Sequence, residues 1–230
     1  MKADWKNTAV VIPIFNSEKY LDELFERTFK FFSRDQVFAV NDASTDHSYD
    51  ICRSQRVNLL NISENTGKGN ALQIGFAAAA EGGFHFAFSI DSDLQHKPED
   101  FALFLQKQNE EEADLVIGKR DFSSSKMPLP RICSNATTSK IVSIFSQQKI
   151  LDSQSGFRLY NLDTIRRFNF RTKRFQFETE VILKIAKIGG MIDFVSIDTI
   201  YNGQKSYISH LRDIKNFVNV VLREALFDKK

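Results

Sequence analysis

The sequence predicts an α/β protein built on a doubly wound, mostly parallel sheet flanked by helices. Three observations point there. Short apolar runs alternate with segments of helical period from residue 8 to about residue 118, the pattern of strand–helix–strand units. The first run, TAVVIPI at 8–14, is almost continuously apolar, as expected of a parallel strand buried on both faces. Four of the runs are followed closely by polar motifs, and open α/β sheets bind ligands beyond the carboxyl ends of their strands.

After the first strand, Asn16 and Ser17 can cap a helix in which Tyr20, Leu21, Leu24, Phe25, Thr28 and Phe31 recur at helical spacing. QVFAV at 36–40 reads as the second strand and ends in Asn41-Asp42-Ala43-Ser44-Thr45-Asp46. Residues 57–62 form the third, followed by Asn65-Thr66-Gly67-Lys68-Gly69-Asn70 and an Ala-rich helix to about Glu81. Residues 84–90 form a brief, aromatic-rich fourth strand after Gly82-Gly83, leading into Asp91-Ser92-Asp93-Leu94-Gln95-His96. Pro98 and Glu99 open a helix to about residue 112, because proline loses nothing in a first turn, and residues 113–118 give a fifth strand. The second half is less regular. A loop at 123–130 precedes a helix at 132–148, a short strand at 156–160 and a helix at 178–188 stopped by Gly189-Gly190. A strand near 191–200 and an amphipathic helix over about 209–227 follow.

At 230 residues, 42% hydrophobic and 26% charged, the chain is expected to form a single domain with a sizeable core. Its 22 Phe exceed ordinary usage; many belong to the core, and some are candidates for a surface meeting something greasy. Cys52 and Cys133 form no disulfide framework and fit a reducing cytoplasm. No apolar run reaches the ~18 residues of a spanning helix, and the polar first residues do not read as a signal peptide. Residues 1–120 carry 13 Lys and Arg against 19 Asp and Glu, whereas residues 121–230 carry 18 against 10. An acidic half with a metal site and a basic half facing an anionic partner would give this split; so would two ordinary solvated surfaces.

Asp91 and Asp93 stand one residue apart at a strand's carboxyl lip. Carboxylates so close repel unless a cation sits beside them, and Mg²⁺ or Mn²⁺ carrying phosphate oxygens is the usual one. The plainer reading is a loop that caps the next helix. Gly67 and Gly69 allow close backbone approach to a ligand, and Lys68 brings a positive charge there. The spacing is not that of a P-loop, and no G-x-G-x-x-G follows the first strand, which argues against a dinucleotide-binding domain.

In this order VVIPIFN, VNDASTD, NTGKGNAL, DSDLQH, GKR and DSQSGFR resemble the family 2 glycosyltransferases of GT-A fold. Within them the closest likeness is to the dolichyl- and polyprenyl-phosphate sugar transferases, over roughly residues 8–205. The resemblance implies a metal-dependent, inverting transfer from a nucleotide sugar, GDP-mannose or a UDP-sugar, to polyprenyl or dolichyl phosphate. Asp42 would hold the base or ribose, with Pro13, Phe15, Asn16 and Lys68 nearby. Asp91 would sit by ribose and metal, while Asp93 and Gln95 would ligate Mg²⁺ or Mn²⁺ under the diphosphate. Arg120 and Arg131 would meet the acceptor phosphate, and residues 152–158 would line the sugar and acceptor side. Residues 1–120 would then be the nucleotide-sugar half of one GT-A domain and residues 121–230 the acceptor half. Plain alternatives stand beside these roles: Asp42 and Asp46 as helix caps, Arg158 as a structural ion-pair partner.

A lipid phosphate is already largely dianionic near neutral pH and needs no general base. A sugar-hydroxyl acceptor in cell-surface glycan synthesis would need one, and Asp152 is then the leading candidate. The stretch 166–177 interleaves Arg166, Arg167, Arg171, Lys173 and Arg174 with Phe168, Phe170, Phe175 and Phe177, which suits an anionic membrane surface. Nucleic-acid stacking is the weaker reading, since the donor motifs give nucleic acid no role, and core Phe beside solvated Arg is the plainest. Lys205 falls where related enzymes carry a basic residue; His210 and His96 are left without a role. The expected setting is cytoplasmic, with peripheral contact at the inner face of the membrane. Two other readings are a non-catalytic nucleotide-sugar-binding module and, less favoured, a nucleotidyltransferase, for which the activating glycine-rich loop is missing.

Overall fold

The computed structural model describes residues 1–121, 129–200 and 210–226, without the side chains of residues 130–131, 210–213 and 225–226. Seven strands form one sheet: β1 (Thr8–Ile14), β2 (Val37–Asp42), β3 (Asn58–Ile62), β4 (Phe86–Ser89), β5 (Leu115–Arg120), β6 (Arg158–Asn161) and β7 (Ile192–Ile197). Their order is β3-β2-β1-β4-β6-β5-β7. All pairings are parallel except those of β6, which runs antiparallel between β4 and β5. The helices are α1 (Glu18–Thr28), α2 (Ser48–Ser54), α3 (Lys68–Glu81), α4 (Phe101–Glu111), α5 (Leu129–Ser146), α6 (Leu162–Ile165), α7 (Gln176–Lys187) and α8 (His210–Leu226).

The predicted mostly parallel α/β sheet is therefore what forms. Every residue of β1 is buried, and its side chains divide by the strand period of two. Val10, Ile12 and Ile14 pack with Leu21, Leu24, Phe25, Phe101 and Phe104 on one face. Ala9 and Val11 join Ala71, Leu72, Phe76, Phe177 and Val181 on the other. The phenylalanine excess is largely core. Phe88 and Phe101 meet tilted with ring centroids 4.5 Å apart, as do Phe104 and Phe157 at 4.5 Å, and Phe101 meets Phe157 edge-on at 5.3 Å.

Some expectations shift. The fourth strand is shorter than 84–90, because the Phe84 N–H closes α3 on Ala79 and the His85 N–H bonds Asn7. Helix α2 was not anticipated; it has seven residues and buries only Ser48 and Cys52, too few for a period to show. Ser17 sits at the start of α1 but does not cap it with its side chain. No helix among the described residues is long and apolar enough to cross a membrane.

The chain runs outward from β1 to β2 and β3, then returns to place β4 on the other side of β1. A crevice must open where the two directions part, at the carboxyl ends of β1 and β4.

Candidate functional site

A cleft of about 640 Å³ opens at this point. Its wall gathers Pro13, Phe15 and Asn16 after β1, Asp42 at the end of β2, Lys68 at the start of α3, and Asp91, Asp93 and Gln95 after β4. Asn16, Ala43 and Leu94 all adopt left-handed backbone with φ between 51° and 58°. For Ala and Leu that conformation costs energy, and three such residues beyond neighbouring strands mark a rim held by its surroundings.

The rim is stitched by hydrogen bonds. The Ser17 hydroxyl pairs with that of Ser92 at 2.7 Å, tying the β1 loop to the β4 loop. Asn16 accepts the Thr45 N–H at 2.8 Å. Asp42, 3% exposed, accepts from the backbone N–H groups of Thr66 (2.8 Å) and Gly67 (2.7 Å) and from the Thr66 hydroxyl. It anchors the turn into α3 while lining the cleft. Asp46 follows the plainer reading, accepting from the N–H groups of Glu18 and Ser48 at the starts of α1 and α2. At Gly67 the backbone is left-handed (φ 99°), and a Cβ would lie 2.7 Å from Arg174 Cγ and 2.8 Å from the Lys173 carbonyl. The glycine lets the 171–175 segment close over the turn.

Behind the rim lies a buried ionic cluster. The Lys68 ammonium donates to Asp91 Oδ1 at 2.6 Å and to Glu178 Oε1 at 2.7 Å. Burial alone would lower the Lys68 pKa, but the two carboxylates overcome it and hold the amine firmly protonated. Burial would raise Asp91, and the Lys68 charge instead keeps it below the usual carboxylate range. Asp93 behaves oppositely: burial, then the neighbouring charge of Asp91, pushes it up to about 6. Its Oδ1 also accepts the Gln95 N–H at 3.1 Å. His96 is buried, its pKa brought down to about 4 chiefly by that burial. Its ring lies 5.5 Å from that of Phe157, and its Nδ1 meets no hydrogen-bond partner among the described residues.

The residues with the chemistry for a divalent cation are Asp91, Asp93 and the Gln95 amide. Among the described residues no cluster of three His, Cys, Asp or Glu is placed to hold an ion. Two carboxylates and an amide fit a hard cation that takes its remaining oxygens from phosphate and water.

The predicted acceptor side is separate from this cleft. Arg120 grips Asp152 with both prongs, Nε to Oδ2 at 2.8 Å and a terminal nitrogen to Oδ1 at 3.0 Å. The N–H groups of Gln154 and Ser155 add bonds at 3.1 Å. Asp152 is fully buried; burial would raise its pKa, but Arg120 and the N–H donors hold it below the usual range. In this structure Asp152 is the buried ion-pair partner of Arg120. Arg158 is bonded differently. Fully buried, it spans the carbonyls of Ser155 (2.7 Å), Ser153 (2.8 Å) and Glu178 (2.9 Å) instead of serving as an ion-pair partner. Arg131 lies in the first turn of α5, but its side chain, like that of His210 and all of Lys205, Ser206 and Ser209, falls outside the described residues.

Three functional candidates went unread in the sequence. Arg174 and Phe175 line the cleft, and Glu178 backs Lys68. The first two lay in the stretch 166–177 that suggested a membrane face. Of its four Phe, Phe177 is buried and Phe168 and Phe170 pack on the core, leaving Phe175 exposed. A signal for Glu178 existed: an acidic residue within the apolar run QFETEVILKIAK needs a partner if buried.

Comparison with known proteins identifies the family. The family model described as glycosyl transferase family 2 matches residues 9–174. A UDP-N-acetylglucosamine–dolichyl-phosphate N-acetylglucosaminyltransferase of Methanococcus voltae is 26% identical over 214 residues, covering 84% of this chain and 85% of that protein. A dolichyl-phosphate β-glucosyltransferase of Trichomonas vaginalis is 26% identical, covering 94% of this chain and 72% of its own. Glucosyl-3-phosphoglycerate synthase of Mycobacterium tuberculosis, solved with Mn²⁺, UDP and glucosyl-3-phosphoglycerate, superposes with a TM-score of 0.75 at 14% identity. It covers 95% of this chain and 80% of its own, a likeness of GT-A fold. With a matching model over most of the chain, and that fold carrying a cleft at its switch point, the chain is a glycosyltransferase and belongs to family 2.

Proposed function

We propose that this enzyme transfers a sugar from a nucleotide-sugar donor, UDP-linked in preference to GDP-linked, to polyprenyl or dolichyl phosphate. The observation that carries the acceptor class is the state of Asp152. A hydroxyl acceptor requires a base, and the leading candidate is buried, doubly gripped by Arg120 and held ionised at low pKa. A phosphate monoester brings its own negative charge and needs no proton removed. The Methanococcus and Trichomonas relatives are named for dolichyl phosphate, and the Methanococcus relative and the Mycobacterium neighbour for UDP-linked chemistry. The neighbour's Mn²⁺ supports a divalent ion here; Mg²⁺ is the alternative.

In this reading residues 1–120 hold the donor and residues 121–230 the acceptor. Asp42 and the loop 13–16 seat the nucleoside, and Asp91, Asp93 and Gln95 face the diphosphate. A bound divalent cation supplies Lewis-acid neutralisation of the departing nucleoside diphosphate. Arg120 and Arg131 orient the acceptor phosphate so that its oxygen meets the anomeric carbon opposite the leaving group, which inverts the configuration. Exposed Arg166, Arg167 and Arg171, together with the outward stripe Ile214, Val218 and Leu222 on α8, support peripheral contact with an anionic membrane, at its cytoplasmic face.

The test is transfer of label from UDP-N-acetylglucosamine, UDP-glucose and GDP-mannose to a short-chain polyprenyl phosphate, with Mn²⁺, Mg²⁺ or EDTA. A lipid-linked product formed only with metal is expected. Failure with every donor, or transfer to sugar hydroxyls alone, overturns the proposal.

A further inference from the structure

Glu178 belongs to none of the motifs that point to the donor site, yet it is bonded into it. It projects from the first turn of α7, is 4% exposed, and holds the Lys68 ammonium at 2.7 Å while Asp91 holds the same ammonium at 2.6 Å. Its backbone is fixed as well, since the buried Arg158 guanidinium donates to the Glu178 carbonyl at 2.9 Å. Gly156 leaves room for the trio: a Cβ there would lie 2.3 Å from Asp91 Oδ2 and 2.5 Å from Lys68 Nζ. One half-buried lysine thus serves two carboxylates, the buried Glu178 and the half-buried Asp91, and it cannot neutralise both.

Resting on the metal-dependent reading above, we propose that Glu178 is a positioning residue that sets the charge of the cation-binding rim by sharing Lys68 with Asp91. With Glu178 in place, the Lys68 charge is divided between two carboxylates. Without the Glu178 charge, Lys68 belongs to Asp91 alone. The rim then offers the ion one negative charge fewer, and Lys68 competes for the carboxylate the ion needs. Glu178 touches neither substrate nor ion; it acts through where Lys68 spends its charge.

The experiment is direct Mn²⁺ titration of the donor-free protein, by calorimetry or water-proton relaxation, with thermal unfolding in parallel. Glu178→Gln keeps an oxygen for Lys68 and should weaken Mn²⁺ binding by on the order of tenfold. The double variant Lys68→Met, Glu178→Gln returns the net charge to the wild-type value and should recover the affinity to within about threefold, although the ion pair is gone. A purely structural Glu178 predicts otherwise: either intact affinity in the single variant, or a loss there that the double variant does not recover. Either of those results overturns the proposal, and the double variant decides alone if the single one does not fold. Wild-type protein that binds no Mn²⁺ overturns the metal reading as well. Mn²⁺ binding without lipid product in the transfer assay overturns only the acceptor assignment.

Discussion

The rim after β1, β2 and β4 and the shelf formed by β5 with residues 152–155 both hold carboxylates out of full solvent, half-buried on the rim and buried on the shelf, and they treat charge in opposite ways. On the shelf, Asp152 meets a dedicated guanidinium and two further backbone donors, so its charge is fully answered within the protein. On the rim, Asp91 and Glu178 divide one lysine, and Asp93 is pushed up to about 6 by burial and by Asp91. A carboxylate paired one-to-one within the protein needs no further countercharge, whereas carboxylates that share one lysine would gain from the divalent cation of the proposed reading.

The largest effect that tests this contrast is on catalysis. Asp93→Asn should lower sugar transfer by on the order of a thousandfold, the several kcal/mol a metal contributes at a leaving group. It should also abolish the rise in melting temperature that Mn²⁺ gives the wild type. A variant retaining transfer within a few-fold would remove Asp93 from the metal site. Next in size is the shelf. Arg120→Ala strands Asp152 as a buried, unpaired charge, which should cost about 3–5 kcal/mol in urea unfolding. If the loss stays under about 1 kcal/mol, the pair is not buried in solution.

The two regions also predict opposite pH responses. In the unfolded chain Asp93 ionises near the ordinary carboxylate value of 3.8, and in the fold near 6. The folded state therefore takes up a proton that the unfolded state does not, so stability rises as pH falls through 6 towards 4. The penalty fully present above pH 6 is about 2–3 kcal/mol as an order of magnitude. Asp152 is depressed in the fold, so its contribution holds above the ordinary carboxylate range and is lost only as pH falls below it. Urea unfolding of metal-free protein between pH 7.5 and 5 should show the rise, and Asp93→Asn should flatten it. Saturating Mn²⁺ should do likewise by holding Asp93 ionised. A flat wild-type profile would mean that the rim is not overcharged.

Gly156→Ala probes the same rim sterically. The added methyl falls within 2.5 Å of both Asp91 Oδ2 and Lys68 Nζ, and an overpacked site of this kind loses about 1–3 kcal/mol. Melting temperature and Mn²⁺ affinity should fall together. A change in neither would show that the trio has room to move aside.

How much of this could be read beforehand follows the same division. The strands were legible because burial on both faces leaves an unbroken apolar signature, as in TAVVIPI. The rim motifs were legible because each sits directly after such a strand, so Asp42, Lys68, Asp91 and Asp93 converge by topology alone. What escaped depends on pairing between distant segments. Asp152 reads as a free carboxylate until Arg120, 32 residues earlier, is seen to grip it. Nothing in the order of residues says that Glu178 reaches Lys68, 110 positions away. Helix α2 was too short for its period to register. The stretch 166–177 was legible only in part for a related reason: composition gives the number of Phe and Arg but not which face each takes, and Phe168, Phe170 and Phe177 went to the core.

Arg174 sharpens the comparison at its smallest expected effect. It is exposed, lines the cleft and packs over Gly67. Lys68 lines the same cleft but is held by Asp91 and Glu178, so a donor diphosphate gains less from it than from a cation that meets solvent. Arg174→Ala should therefore weaken binding of a nucleoside diphosphate by severalfold, up to about tenfold, with little change in melting temperature. Because the side chain is exposed, the difference from wild type should shrink as salt rises from about 50 mM to 500 mM, where the screening length falls to a few ångströms. The Asp93→Asn effect, seated in a buried group, should persist at the higher salt. A salt-independent loss for Arg174→Ala would mean that the residue shapes the 171–175 segment rather than attracting the donor. Unchanged affinity at both salts would leave the positive side of the cleft to Lys68 and Lys19.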